Sequence, residues 1–277
     1  MGRRIGATVI LAAMLLLCLV GCKSEPAFHP ASTTERDDVA VMGTVEQTQN
    51  GESTETNGQN GNIYKKRVAI TYDDGPHNVR TKMIVDELNK YGYNATFFVV
   101  GNRVDGTEYN GASGLAYAAE HGNEIAIHGY THRVYYNKCS DDEFKDELSK
   151  TEAAIKKVLK GTPVRLMRPI GGAITDERIQ QCKYSVILWN VDSEDWKYKY
   201  TSDDTDETAK QKVDTIVDNV MSNVKDGSII LMHDIHQSSC DATVIILQRL
   251  HEEGYDVVTV SELIGSDLAA GHRYSCK

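Results

Sequence analysis

Apolar side chains in this sequence come in short runs separated by stretches of helical spacing, an alternation that begins near Tyr64. The runs fall at 68–72, 94–100, 124–128, 164–168, 184–191, 228–233 and 256–260, rich in β-branched and aromatic residues as in buried strands. Helical patterns fill about 78–91, 112–121, 141–160, 174–182, 207–225 and 241–253; Met83, Ile84, Leu88 and Tyr91 have the spacing of one buried face. Such alternation predicts parallel βα units. Roughly 210 residues with seven strands suit one α/β domain, a single irregular (β/α) barrel of about seven parallel strands, closed or nearly so.

Ahead of the barrel the pattern changes twice. Gly2-Arg3-Arg4 and the apolar run Ile5 to Val20 read as a signal peptide over residues 1–21, short for a membrane span. Residues 22–62 are polar, and Gln47 through Asn62 has no aliphatic side chain, so this stretch is expected to be a disordered tether. The folded domain is then 63–277. An exported domain with Cys139, Cys182, Cys240 and Cys276 allows two disulfides in three connectivities, and a structural bridge is expected. The net charge of −10 argues against nucleic acid as a partner, and a monomer is expected.

Composition does not reveal the chemistry, but the strand ends do. In parallel α/β folds ligand sites gather where strands finish. The first strand runs Val68-Ala69-Ile70-Thr71-Tyr72 into Asp73-Asp74-Gly75-Pro76, and two adjacent carboxylates at a buried strand end need a cation or a capping role. The third ends at His128-Gly129-Tyr130-Thr131-His132, the fourth at Arg168-Pro169-Ile170-Gly171-Gly172, the fifth leads to Asp195-Trp196, and the sixth closes on Leu231-Met232-His233-Asp234. One Asp with two His is a ligand set for a catalytic Zn²⁺, with Asp74 the natural third ligand and Asp73 left free beside it. Each motif alone also has a bland reading: capped histidines, a surface arginine, a core tryptophan. The bottom-up reading is a metal-assisted hydrolase.

Together these pieces resemble the polysaccharide deacetylase family, the NodB-homology carbohydrate esterases, over about residues 64–264 with five motifs in family order. The resemblance implies Asp73 as general base, Asp74, His128 and His132 as ligands of Zn²⁺ or another divalent metal such as Co²⁺, and Arg168 as the residue orienting the base. It implies His233 as general acid tuned by Asp195, the Gly171 N–H as oxyanion donor, and Trp196 with Leu231 as walls of an acetyl pocket. Gly129 stands where Ser or Thr usually follows the first metal histidine, and Ile170-Gly171 where Pro-Tyr is common. Leu19-Val20-Gly21-Cys22 looks like a lipobox, implying a lipid on Cys22 and a location on the outer side of a bacterial membrane. The implied substrate is an N-acetylated cell-wall polysaccharide, foremost N-acetylglucosamine of peptidoglycan, then chitin oligomers, N-acetylmuramic acid and O-acetylated xylan. A catalytically silent glycan-binding lipoprotein of the same fold is the alternative from another class.

Overall fold

The structure, a computed structural model, describes residues 65–106 and 108–277. The signal peptide read at 1–21 and the tether at 22–62 lie outside the described residues. The chain runs through β1 (Lys66–Asp73), α1 (Arg80–Lys90), β2 (Thr96–Val99), α2 (Gly101–Asp105), α3 (Gly111–Glu120), β3 (Glu124–Ile127), α4 (Asp141–Val158), β4 (Leu166–Met167) and α5 (Asp176–Gln181). It continues with β5 (Ser185–Ile187), β6 (Val191–Asp192), α6 (Asp206–Met221), β7 (Ile229–His233), α7 (Gln237–Glu252), β8 (Tyr255–Val257), α8 (Val260–Ile264) and β9 (Arg273–Tyr274). The strands lie in the order β6-β7-β1-β2-β3-β4-β5-β9, with β8 paired to the N-terminal end of β1, and every pairing is parallel.

The irregular parallel barrel expected from the sequence is therefore present as a barrel left open between β6 and β9. The apolar run 184–191 does not make one strand: it breaks into β5 and β6, separated by Leu188-Trp189-Asn190. The end of the 256–260 run turns into α8, because Thr259 caps a helix there through the Glu262 N–H.

Side chains alternate across each strand, and the two faces have different work. Val68, Ile70 and Tyr72 of β1, with Phe97, Val99, Ile125, Ile127, Ile230 and Met232, point outward into the large core shared with the helices. Ala69, Phe98, Ala126, Leu166, Ile187 and Ile229 point inward, where Val260, Leu263 and Ile264 of α8 fill the interior. The Val260 N–H donates to Thr96 Oγ1 and Ser261 to Glu124, so α8 sits at the N-terminal ends of β2 and β3. The opposite, C-terminal end of the interior is left for polar residues.

The expected disulfide is not present. All four cysteines among the described residues are free. Cys182 and Cys240 are buried as small apolar side chains in the outer core, Cys139 Sγ lies 3.2 Å from Arg178 Nη1, and Cys276 is exposed in a backbone bridge to Ser228.

Candidate active site

Following the inward parity of each strand one or two residues further gives the site. Asp73 continues Ala69 and Thr71, His128 follows Ala126, Arg168 follows Leu166, and His233 follows Ile229 and Leu231. Asp73 and His233 are register partners across β1 and β7. Backbone pairing runs past the strand ends, with the His128 N–H donating to Val99 O and the Arg168 N–H to Ile127 O. A cavity of about 440 Å³ opens here, lined by Asp73, Asp74, His128, His132, Gly171, Trp196, Leu231 and His233 together with Tyr135, Ile170, Trp189 and Asp192. The strand ends thus bring together every sequence-expected site residue: eight line the cavity, and Arg168 and Asp195 lie buried behind it, bonded to Asp73 and His233.

Arg168 has no exposed surface. Its guanidinium donates to Asp73 Oδ1 and Thr71 Oγ1, both at 2.7 Å, and to the carbonyls of Ile187 and Leu188. It stacks 4.2 Å from the Phe98 ring centroid. Asp73, itself 3% exposed, is thereby fixed in one orientation and held as the partner of a buried cation.

Asp74, His128 and His132 each offer a ligand atom, all within 4.8 Å of one another, the one such group found among the described residues. The His128 Nδ1–H donates to Arg168 O at 2.9 Å, which leaves the Nε2 lone pair facing the group. Burial foremost lowers the His128 pKa, against the pull of neighbouring Asp73 and Asp74, which favours the neutral ring that a metal ligand needs. Burial acts to raise the Asp74 pKa, but His132, His128 and His233 outweigh it and hold the carboxyl well below the usual range. Asp74 Oδ1 is buried and accepts no hydrogen bond of proper geometry, although His132 Nε2 lies 2.7 Å away. An orphaned carboxylate oxygen beside two imidazole nitrogens fits a divalent cation. Asp74 and His132 also adopt left-handed backbone, at φ 72° and 56°, a conformation that costs a non-glycine residue about 1–3 kcal/mol and gathers at functional sites.

The loop joining the two histidines is steadied from α4. Glu147, 5% exposed, accepts from the N–H groups of Tyr130 and Thr131 and from Thr131 Oγ1 at 2.6–2.9 Å. Sequence reading missed it, since nothing in a helical Glu announces a loop partner 16 residues away. The structure also accounts for Gly129: its φ is +88°, and an added Cβ would stand 2.8 Å from Tyr136 Oη and 3.2 Å from Glu147 Oε2.

His233 is held from both sides. Its N–H donates to Asp195 Oδ2 at 2.8 Å and its Nδ1–H to Asp195 Oδ1 at 2.6 Å, while Ser239 Oγ donates to Oδ2. Burial acts to lower the His233 pKa, and the Asp195 carboxylate reverses that, with Asp74 and Asp73 adding, to hold it up to about 9. The next residue, Asp234, points away from the cavity. Its Oδ2 accepts from Thr81 Oγ1, and a Cβ at Gly75 would collide with its carboxylate. Burial foremost, with Asp74 adding, pushes the Asp234 pKa up to about 7.

Gly129→Ala should destabilise the protein by about 1–3 kcal/mol, from left-handed backbone and contact with Tyr136. Tyr136→Phe, which removes a buried hydroxyl lacking a partner, should recover the contact part of that loss but not the backbone part. Urea denaturation of the two single variants and the double variant measures both terms.

Comparison with known proteins agrees with this geometry. The profile of the family described as polysaccharide deacetylase matches residues 60–186. The peptidoglycan-N-acetylmuramic acid deacetylase PdaC of Bacillus subtilis is 40% identical over 199 residues, 72% of this chain and 39% of that protein. The chain thus spans about two fifths of that relative's length. A peptidoglycan-N-acetylglucosamine deacetylase of Bacillus cereus is 33% identical over 208 residues, covering 72% of this chain and 89% of the relative. The solved structure of PdaC superposes with a TM-score of 0.63 at 39% identity, over 72% of this chain and 90% of that one. The chain belongs to the polysaccharide deacetylase family.

Proposed function

We propose that this protein hydrolyses the N-acetyl amide of a cell-wall glycan, with N-acetylglucosamine of peptidoglycan as the principal substrate. The observation that carries this reading is the convergence, in one cavity, of a cation-ready triad flanked by an oriented carboxylate and a protonated imidazole. Relatives that act on peptidoglycan amino sugars support the substrate class. Asp74, His128 and His132 would hold the metal, and two imidazoles with one carboxylate suit zinc or another divalent transition metal such as cobalt. When bound, that ion supplies Lewis acidity toward the acetyl carbonyl.

The chain's own groups do the rest. Asp73, held by Arg168, takes a proton from the water that adds to the carbonyl carbon. The Gly171 N–H, at the cavity wall, donates to the developing oxyanion. Trp196 and Leu231 enclose the methyl group. As the C–N bond breaks, the His233 imidazolium gives its proton to the departing amine, and acetate remains.

The location proposed is the outer face of a bacterial cell membrane, through a lipid on Cys22. The Leu19-Val20-Gly21-Cys22 motif supports this. Cys22→Ala should abolish lipid labelling and release the protein from the membrane fraction; membrane retention of a cleaved, unlabelled product would refute it.

Acetate release from purified peptidoglycan and from chitin oligomers, with the metal varied, tests the activity. Glycan binding without acetate release under every metal would instead make this a silent binder. Alanine at Asp74, His128 or His132 should abolish both metal uptake and turnover, whereas Asp73→Asn should keep the metal and lose turnover. Calorimetric titration with the metal separates the two.

The acid step has its own signature. His233 must be protonated, and its pKa near 9 places the alkaline limb of the rate profile there. Asp195→Asn removes the charge that raises this value and leaves the burial that lowers it. The alkaline limb should therefore move to lower pH by roughly 1–3 units, and kcat should fall. His233→Ala should cost on the order of 10²–10⁴ in rate while sparing metal binding.

A further inference from the structure

Of the large apolar side chains left exposed among the described residues, Tyr135 at 51% and Trp196 at 50% both line the catalytic cavity. Trp196 has a place in the acetyl pocket; Tyr135 has none in the reaction as derived. It stands in the loop between His132 and α4, and its carbonyl accepts from the N–H groups of Lys138 and Cys139, so its backbone is pinned by a turn. Its ring covers the backbone at Gly171: a Cβ there would lie 3.6 Å from Tyr135 Cε1. The chain thus lacks a side chain at 171, and an aromatic ring from a different loop walls the same stretch of cleft.

On its other side Tyr135 borders a second, shallower depression of about 260 Å³, lined also by Arg133, Lys138 and Glu143. The ring is therefore a partition between the space for the reacting acetamido group and a space beside it. Exposing an aromatic ring to water in this position is unfavourable unless something covers it, and ligand grooves are where such rings are kept. Glu143, an anion, is turned to the N-cap at Ser140, so Arg133 and Lys138 outnumber it among the charges lining that neighbouring space.

We propose that Tyr135 is a substrate-binding platform for the pyranose ring next to the reacting sugar, beside cations that favour a carboxylated sugar over a neutral one. This rests on the deacetylase reading and deepens it, because it makes the substrate an oligomer and assigns the residue that recognises its second unit. The ring face does the binding, so the hydroxyl is dispensable.

The test compares wild type, Tyr135→Ala and Tyr135→Phe on N-acetylglucosamine tetramers, on peptidoglycan glycan fragments that carry carboxylates, and on 4-nitrophenyl acetate, which reaches only the acetyl pocket. Tyr135→Ala should raise KM for both oligomers roughly three- to tenfold, as expected for loss of one stacking contact. It should cost the small ester less than it costs either oligomer. Tyr135→Phe should match wild type, and Arg133→Gln with Lys138→Gln should raise KM on the carboxylated fragments only. Fluorescence titration with each oligomer, read through Trp189 and Trp196 in the same cavity, gives the binding change without turnover. If wild type cleaves the ester but no glycan, the deacetylase reading fails while the titration still decides the platform. An unchanged KM and Kd in Tyr135→Ala, or an equal loss on the small ester, would overturn the platform. An equal effect of the charge substitutions on neutral tetramers would overturn the preference for carboxylate.

Discussion

A guanidinium sealed inside a barrel is the most demanding group in this structure, and the rest of the site is arranged around satisfying it. Taking such a charge out of water costs several kcal/mol unless donors and counter-charge are supplied with good geometry. Arg168 finds four acceptors and an aromatic face. One acceptor is Asp73, so the same contact offsets the cost of burying the arginine and orients the carboxylate proposed as base. A second consequence runs through its backbone: the Arg168 carbonyl fixes the tautomer of His128. A single residue at the end of β4 therefore orients both the proposed base and one of the proposed ligands.

The division of labour between the two faces of each strand explains why these groups can be polar at all. Outward positions are committed to helix packing, and inward positions at the N-terminal end are filled by α8. Only the inward positions at the C-terminal end are left unfilled by α8, and Asp73, His128, Arg168 and His233 occupy them. The pairs Arg168–Asp73 and Asp195–His233 then neutralise most of the buried charge locally. The Asp74–His128–His132 group is the part left unbalanced, which is where a cation fits.

Much of this was legible in the sequence because it depends on period and order. Strand existence, parallel topology and the gathering of polar side chains at one end follow from runs that alternate with helices and end in polar residues, while the roles proposed for those side chains come from the family resemblance. What was not legible depends on contacts between distant segments. The break of the 184–191 run, the open edge at β9, the free cysteines and the grip of Glu147 on the histidine loop are decided by tertiary packing. Gly129 illustrates the difference: the sequence marks it as a departure, and only the nearness of Tyr136 and Glu147 gives the reason. Tyr135 is similar, since its ring matters through Gly171, 36 positions further along the chain.

Asp73 and His233 occupy one rung of the ladder between β1 and β7. Their spacing is then a property of the hydrogen-bonded sheet, about 4.8 Å between neighbouring strands, rather than of any loop. The side chain proposed to recognise the glycan, by contrast, comes from a connection, the one carrying Tyr135. Changes in the length or composition of such connections can then alter which polymer fits while leaving that rung in place. Such freedom is smallest in the connection between β3 and α4, which carries the proposed ligand His132 only three residues from Tyr135.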